Sequence, residues 1–481
     1  SAAAERAASL GAHDQAIQQL EQALAVSRDD ADRVELLIRA ARSADAAGRP
    51  ERGIPMAREA AATARRLGDL LAAGRAESVL GVLHIDFGQL PEAVAVLEAA
   101  RDTLPVEEQG EARAELLSTL SRAYMRIDRT SEAIETAEAA LSISERLELD
   151  GITAEALQNK GGSLGRLGRR HESMALMQAA VDVARSGGYV LSELRATSNV
   201  ASVTSMQDLP RAHAATLAAL SLARRTGHRP STSWALTLLA WQTYLEGRGW
   251  DELIAELEED LARAIGPIEE LRLLSSLLTF QLARGEDAGE RQARARELAA
   301  DMTDRVTASM YQWTVADDLM ARRSYAAAAD GYDRTARPGM MYPLGMAVRA
   351  ALWIGDLPRL RTFAQRLGDD PEVLLDAKSQ LIAARAGIDA LEGRRAEALA
   401  GYREAMRLSA ANKADFEVAL LAIDAAVALG PEEPEVARAI DEARATLTRV
   451  RAQPYLARLE EVAAPNAREG RTATSPAPTP T

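Results

Sequence analysis

Residues 161–165, Gly-Gly-Ser-Leu-Gly, fit the G-x-S-x-G pattern that surrounds a nucleophilic serine in α/β hydrolases. The pattern supports catalysis only at a sharp turn from a strand into a helix, because that turn exposes the serine hydroxyl. Here the preceding residues 152–160 have the pattern of a helix, and Gly161 stands at a helix-packing position. We therefore predict that Ser163 is not a catalytic residue.

No other pattern in the sequence predicts metal or phosphate chemistry. His171 and Glu172 begin an H-E-x-x-H zinc motif, but position 175 is alanine, so the second ligand is missing. The remaining histidines belong to separate segments: His13, His84, His213 and His228. No phosphate-binding G-x-x-x-x-G-K-[ST] motif includes any of the three lysines, which are Lys160, Lys378 and Lys413. The sequence thus predicts a protein that is not an enzyme and that holds no cofactor or metal.

Six polar residues have the spacing of a binding surface. Asn159 and Asn199 are separated by 40 residues, and Thr119 lies one such step earlier. An amide both donates and accepts hydrogen bonds, so a row of amides could bind the backbone of an extended peptide. Arginines nearby would contact anions. We predict a partner-binding groove formed by Arg75, Thr119, Arg122, Arg126, Asn159 and Asn199. The alternative is a set of ordinary polar residues on a solvated helix face.

A repeat of about forty residues must position these side chains. A short turn signature, a Gly, Asp or Gln followed by polar residues and then an apolar-periodic run, begins at residues 48, 88, 128, 168, 207 and 247. Four of the five steps between these positions are 40 residues long, and the remaining step is 39. Apolar residues on both sides of each turn recur every three or four positions, as on one face of a helix. The repeating unit is therefore a helix, a tight turn and a second helix.

Composition agrees with an all-helical array. The chain has 481 residues, and aromatic residues make up only 4% of it, which disfavours strands. There is no cysteine, so disulfides are excluded, and we expect a cytoplasmic protein. No run of about 18 apolar residues predicts a membrane span. The net charge of −14 argues against nucleic acid as a partner.

The repeats resemble tetratricopeptide repeats, in which small residues let the two helices of a pair pack closely. The resemblance is carried by Gly81, Ala93 and Ala100 in one repeat and by Ala133 and Ala140 in the next. It implies an all-α solenoid, a right-handed superhelix of about twelve helix pairs, whose first helices line a concave binding side.

Two further segments resemble the helical arrays of large bacterial signalling proteins. Residues 8–24 are similar to the first repeat after the ATPase module in nucleotide-cyclase/ATPase proteins and in large ATP-binding LuxR-type regulators, and residues 451–459 are similar to the close of the cyclase-type arrays. This resemblance implies a regulatory scaffold that binds a peptide, a protein or its own upstream domains. Any cyclase or ATPase activity would then lie upstream of this chain.

The quality of the repeats varies along the chain and suggests four segments. We predict well-formed repeats in residues 1–227, degenerate aromatic-richer repeats in 228–370, further repeats in 371–462 and a disordered Pro/Ser/Thr-rich tail in 463–481. The degenerate segment contains all five tryptophans, Trp234, Trp241, Trp250, Trp313 and Trp353. Their rings either fill gaps left by missing small residues or form a ligand pocket or self-association surface. The pocket would make the protein a small-molecule sensor, which is the alternative function.

Overall fold

The structure of the protein, a computed structural model, describes residues 2–105, 110–205, 208–302, 304–336, 341–369 and 378–464. These residues form 25 helices and no strand. The fold is the predicted all-α solenoid of tetratricopeptide-like helix pairs. None of the described helices is long and apolar enough to cross a membrane. The predicted tail from Pro465 onward lies outside the described residues.

Twelve helices precede the degenerate segment. They are α1 (Ala2–Ser9), α2 (His13–Val26), α3 (Asp30–Ala46), α4 (Pro50–Leu67), α5 (Leu70–Asp86), α6 (Leu90–Thr103), α7 (Glu111–Arg126), α8 (Thr130–Arg146), α9 (Asp150–Arg166), α10 (Arg170–Gly187), α11 (Val190–Thr204) and α12 (Leu209–Thr226). Each helix packs against the next, and the first helices of neighbouring pairs, α3, α5, α7, α9 and α11, also contact one another in order. This arrangement places the odd-numbered helices side by side.

The remaining helices continue the pairing. They are α13 (Arg229–Glu246), α14 (Trp250–Leu261), α15 (Pro267–Arg284), α16 (Gly289–Ala300), α17 (Arg305–Ala321), α18 (Tyr325–Thr335), α19 (Tyr342–Trp353), α20 (Leu357–Asp369), α21 (Lys378–Leu391), α22 (Arg395–Ala411), α23 (Asp415–Leu429), α24 (Pro434–Val450) and α25 (Gln453–Ala463).

The turns predicted at residues 48, 88, 128, 168 and 247 form as expected, and position 207 lies outside the described residues. At Gly88 the backbone has φ +76, a left-handed conformation that glycine adopts without a steric penalty. The following amide, that of Gln89, donates to the carbonyl of His84 at 2.8 Å, which closes the end of α5. Asp128 adopts the same left-handed conformation at the equivalent position of the next repeat, with φ +64.

Close packing within a pair depends on small residues, as predicted. A Cβ on Gly81 of α5 would lie 2.6 Å from the Leu97 side chain of α6. A Cβ on Gly161 of α9 would lie 3.1 Å from the backbone oxygen of Ser173 in α10. Contacts this short are rare for real Cβ atoms, so a larger residue at either place would force the Leu97 side chain or the α10 backbone to shift.

The described residues divide into two compact units. The first unit contains residues 1–240, 256–274 and 294–311, and the second contains 241–255, 275–293 and 312–481. In the first unit, alanines without exposed surface, such as Ala57, Ala60 and Ala76, fill the core together with leucines.

Aromatic rings fill the core of the second unit. The rings of Tyr244 and Trp250 stack with centroids 5.4 Å apart, and Phe416 packs edge-on against Tyr244 at 4.7 Å. Trp250 and Trp353 are buried, with 2% and 5% of their surface exposed. These two tryptophans therefore occupy packing positions.

Candidate functional site

The six predicted groove residues all lie on first helices of the first unit. Arg75 is on α5, Asn159 on α9 and Asn199 on α11, and α7 carries the other three. Their local environments differ, however. Whether a partner binds them stays a prediction, but their contacts within the chain are defined.

The two asparagines join neighbouring first helices. Asn159 is fully buried, and its Nδ2 donates to the carbonyl oxygen of Ser118 in α7 at 3.0 Å. Nδ2 of Asn199, which is half-buried, donates to Oε1 of Gln158 in α9 at 2.8 Å. Asn159 therefore lies in the packed interface between α7 and α9 and not on a solvated helix face. The amide row holds α7, α9 and α11 together.

Thr119 and Arg122 are also engaged inside the unit. The Thr119 hydroxyl, almost fully buried, donates to the carbonyl of Glu115 one turn earlier in α7. Arg122 forms an ion pair with Asp86 at the end of α5, and only 12% and 11% of the two side chains are exposed. Burial alone would raise the pKa of Asp86, but the nearby cations, first among them Arg122, together outweigh this effect and lower it. Asp86 therefore stays ionised and holds Arg122.

Arg126 binds an acid from far along the chain. Its Nη2 lies 2.6 Å from Oδ1 of Asp304, and Arg272 binds the other oxygen of Asp304 at 3.2 Å. Asp304 is 1% exposed and also accepts hydrogen bonds from Thr307. Burial opposes ionisation, but the two arginines bring the pKa of Asp304 well below its usual range. The predicted anion contact of Arg126 is thus occupied by the chain's own carboxylate.

Arg75 remains accessible. It pairs with Glu35 of α3 at 3.3 Å, and about half of each side chain is exposed (41% and 50%). A second accessible pair, which the sequence did not single out, joins Arg42 of α3 to Glu115 of α7 at 2.7 Å, with 53% and 26% exposed. We call these four residues, Arg42, Arg75, Glu35 and Glu115, the accessible charge set.

The second unit contains a buried ionic cluster that no sequence pattern predicted. Arg349 of α19 binds Glu417 of α23 at 2.7 Å and Asp424 at 2.9 Å, and all three side chains are at most 5% exposed. Tyr342 donates to Glu417, and the indole of Trp353 donates to Asp424. Helical spacing could have linked Arg349 with Tyr342 and Trp353, but only the fold brings α23 to them.

Two carboxyls of this unit titrate near neutral pH. Burial raises the pKa of Asp424 to about 6, although Arg349 and Trp353 act in the opposite direction. Burial also raises the pKa of Asp317 to about 7, against hydrogen bonds from Tyr332 and Trp313.

A small cavity adjoins Arg349. Its volume is about 10 Å³, and it is lined by Gly345, Gln380 and Asp424 among others. Neither amide atom of Gln380 has a hydrogen-bond partner among the described residues, although the side chain is buried. A space of this size holds about one water molecule, which is too little for a metabolite.

Ser163 and His171, the residues of the two motifs that resemble catalytic or zinc-binding sequences, both lie in helices. Ser163 is fully buried within α9, and its hydroxyl donates to the carbonyl of Asn159 at 2.9 Å. It therefore lacks the exposed turn that a nucleophile needs. His171 is exposed at the start of α10. In the described part of the chain, no group of three or more His, Cys, Asp or Glu side chains is placed to hold a metal ion.

Comparison with known proteins supports the repeat assignment for one segment. The sequence model of the tetratricopeptide repeat family matches residues 114–146, which cover most of α7 and all of α8. No curated protein matches the chain.

Two solved structures are similar over most of the chain. The Cut9–Hcn1 hetero-tetramer of the APC/C aligns with 11% identity and a TM-score of 0.47, covering 96% of this chain and 88% of the other. Naa15/Naa10 bound to HypK-THB aligns with 13% identity and a TM-score of 0.24, covering 98% and 94%.

Proposed function

We propose that this chain is a non-catalytic scaffold for protein–protein interaction, and that it is the regulatory helical region of a bacterial signal-transduction protein. Stacked helix pairs present extended surfaces that bind peptides and proteins. The tetratricopeptide match in residues 114–146 supports this class of protein. A net charge of −14 makes nucleic acid an unfavourable partner.

The observation that carries the proposal is the accessible charge set on three consecutive first helices. Exposed ion pairs contribute little to folding, about 0–1 kcal/mol each, so they are free to exchange partners. A bound peptide could replace Glu35 on Arg75 or Glu115 on Arg42 at small cost. We therefore expect the partner to bind along α3, α5 and α7.

Affinity capture with the purified chain tests this surface. Partners captured from a bacterial lysate are identified by mass spectrometry, and capture is repeated with the double variant Arg42→Ala/Arg75→Ala. We expect the loss of specific partners in this variant. Arg169→Ala is the matched control, because Arg169 is also 53% exposed and ion-paired but lies at the junction of α9 and α10. Equal loss in the control would contradict the proposed surface.

The predicted amide row has a separate test. Asn159→Ala removes a buried hydrogen bond and should lower the free energy of unfolding by about 1–2 kcal/mol. If the amides only join helices, capture of the partner below the unfolding transition stays unchanged in Asn159→Ala and Asn199→Ala. Loss of capture by both folded variants would restore the amides to the binding surface.

A small-molecule sensor is less well supported. The cavity beside Arg349 has room for about one water molecule. Tryptophan fluorescence titrated with candidate metabolites would detect a ligand that opens a larger space.

A further inference from the structure

Two turns of the first unit are in contact although they lie far apart along the chain: the two bonded residues are separated by 213 positions. Nε2 of His13, at the start of α2, lies 2.7 Å from the carbonyl oxygen of Thr226, at the end of α12. Because a carbonyl only accepts, Nε2 carries the proton and donates it. Beside this bond the backbones of Gly11 and Gly227 touch: a Cβ on Gly227 would lie 2.3 Å from the Gly11 carbonyl oxygen. The contact therefore requires glycine at position 227.

The next residue, His228, extends the contact to the end of α3. Its Nδ1 accepts the backbone N–H of Ser231 at 3.3 Å, so Nε2 carries the proton and faces Asp45 Oδ2 at 3.8 Å. Asp45 and His228 are each 8% exposed. The side chain of Arg229 also lies against Gly48, 3.3 Å from where a Cβ would be.

The predicted site residue Arg122 belongs to the same buried charge cluster. Arg122 pairs with Asp86, His228 faces Asp45, and the charges of Asp86 and Arg122 both act on Asp45, which places these four side chains close together. Arg122 is nearly inaccessible while it is paired with Asp86. The cluster lies where the ends of α3, α5 and α7 meet the start of α13.

We propose that the contact of residues 11–13 with residues 226–228 is a latch that keeps this charge cluster closed. The latch consists of one side-chain hydrogen bond and a backbone contact. Segments held by few buried contacts open most readily. Opening releases His228 from Asp45 and exposes Arg122 to solvent. This inference rests on the proposed function, because an exposed Arg122 enlarges the charged surface offered to a partner.

Hydrogen exchange of the full chain tests the latch without any partner. Gly227→Ala places a methyl group on the Gly11 carbonyl, so it should open the latch. Gly68→Ala and Gly188→Ala are the matched controls. These glycines also end second helices with positive φ, and nothing lies within 4 Å of their Cβ positions. All three variants therefore carry the same backbone strain.

We expect amide exchange in residues 13–26 and 118–126 to be about tenfold faster in Gly227→Ala than in either control. Equal rates in the three variants would overturn the latch. Faster exchange in residues 13–26 alone would also overturn the latch, because the charge cluster would then not depend on the latch contact.

A reversible lock is the second test. The chain has no cysteine of its own, and the Cβ position of Gly48 lies 3.3 Å from Cβ of Arg229, near the separation that a disulfide needs. In Gly48→Cys/Arg229→Cys, oxidation should slow exchange in residues 118–126 by about tenfold relative to the reduced protein. Unchanged exchange after complete oxidation would refute the latch.

Capture experiments separate this inference from the proposed function. If oxidised and reduced protein capture the same partners equally, the latch does not control binding, although the scaffold function stands. If neither form captures a specific partner, the scaffold proposal fails, and the exchange rates alone decide whether the latch exists.

Discussion

The two units pack their helices together with different kinds of side chain. In the first unit, helices approach closely over Gly81 and Ala93, and polar groups such as Asn159 lie between first helices. In the second unit, rings such as Trp250 and Phe416 fill the space between helices, and Arg349 is buried with two acids.

The difference has a physical origin in helix spacing. Small residues bring helix axes together, so neighbouring backbones and short polar side chains can satisfy one another. Where the small residues are missing, the wider gap needs large rings, and long ionic side chains reach across it. The second unit therefore buries ionic side chains among its core rings, while the first unit, which also buries the Asp304 carboxylate, leaves Arg42 and Arg75 open to a partner.

The largest effect should come from breaking the buried cluster. Arg349→Met leaves Glu417 and Asp424 buried without a cation, so we expect a loss of about 3–5 kcal/mol in the free energy of unfolding. Arg403→Met is the control, because Arg403 pairs with Glu435 at the surface, where an ion pair contributes about 0–1 kcal/mol. Chemical denaturation followed by tryptophan fluorescence measures both. Similar losses in the two variants would show that the second unit does not depend on its buried charges.

The pH dependence should also separate the units. Asp317 has a folded pKa of about 7, above its ordinary value of 3.8, so its stabilising contribution is present below about pH 4 and is lost as pH rises through 7. We expect the second unit to be less stable at pH 8 than at pH 5, by roughly 2–4 kcal/mol. In the first unit, the lowered pKa of Asp304 acts in the opposite direction, and its contribution is lost only as pH falls well below 4.

Tryptophan fluorescence during urea unfolding at pH 5 and pH 8 tests this prediction, since four of the five tryptophans belong to the second unit. Asp317→Asn should remove most of the difference between the two pH values. Equal stability of the wild-type protein at pH 5 and at pH 8 would count against a raised pKa of the buried Asp317.

The smallest expected effect concerns the small-residue packing. Gly81→Ala introduces a methyl group 2.6 Å from Leu97 and should cost about 1–3 kcal/mol. Gly368→Ala in α20 has no neighbour closer than 3.7 Å, so the higher helix propensity of alanine should leave stability unchanged or raise it by up to about 1 kcal/mol. Thermal unfolding of both variants measures this difference in stability. A neutral Gly81→Ala would mean that Leu97 can move aside and that close packing is not strict.

Much of the fold could be predicted because it depends on local pattern. The forty-residue period gave the turns at Gly88 and Asp128, and the glycines at 81 and 161 gave the close contacts within pairs. For the candidate site, the sequence predicted which helices carry the residues but not which of those residues are accessible. Asn159 had the spacing of an accessible residue, but its burial depends on how closely α7 and α9 approach.

The sequence alone determined that the chain forms helix pairs, where they turn and which faces pack, because these features depend on residues within about forty positions of one another. Only the tertiary structure decided that Asp304 binds Arg126, that Glu417 and Asp424 bind Arg349, and that the turn at Gly227 returns to Gly11. These contacts join residues dozens to hundreds of positions apart. Small rotations between successive helix pairs add up along the chain and bring these residues together, so the contacts cannot be predicted from any single repeat.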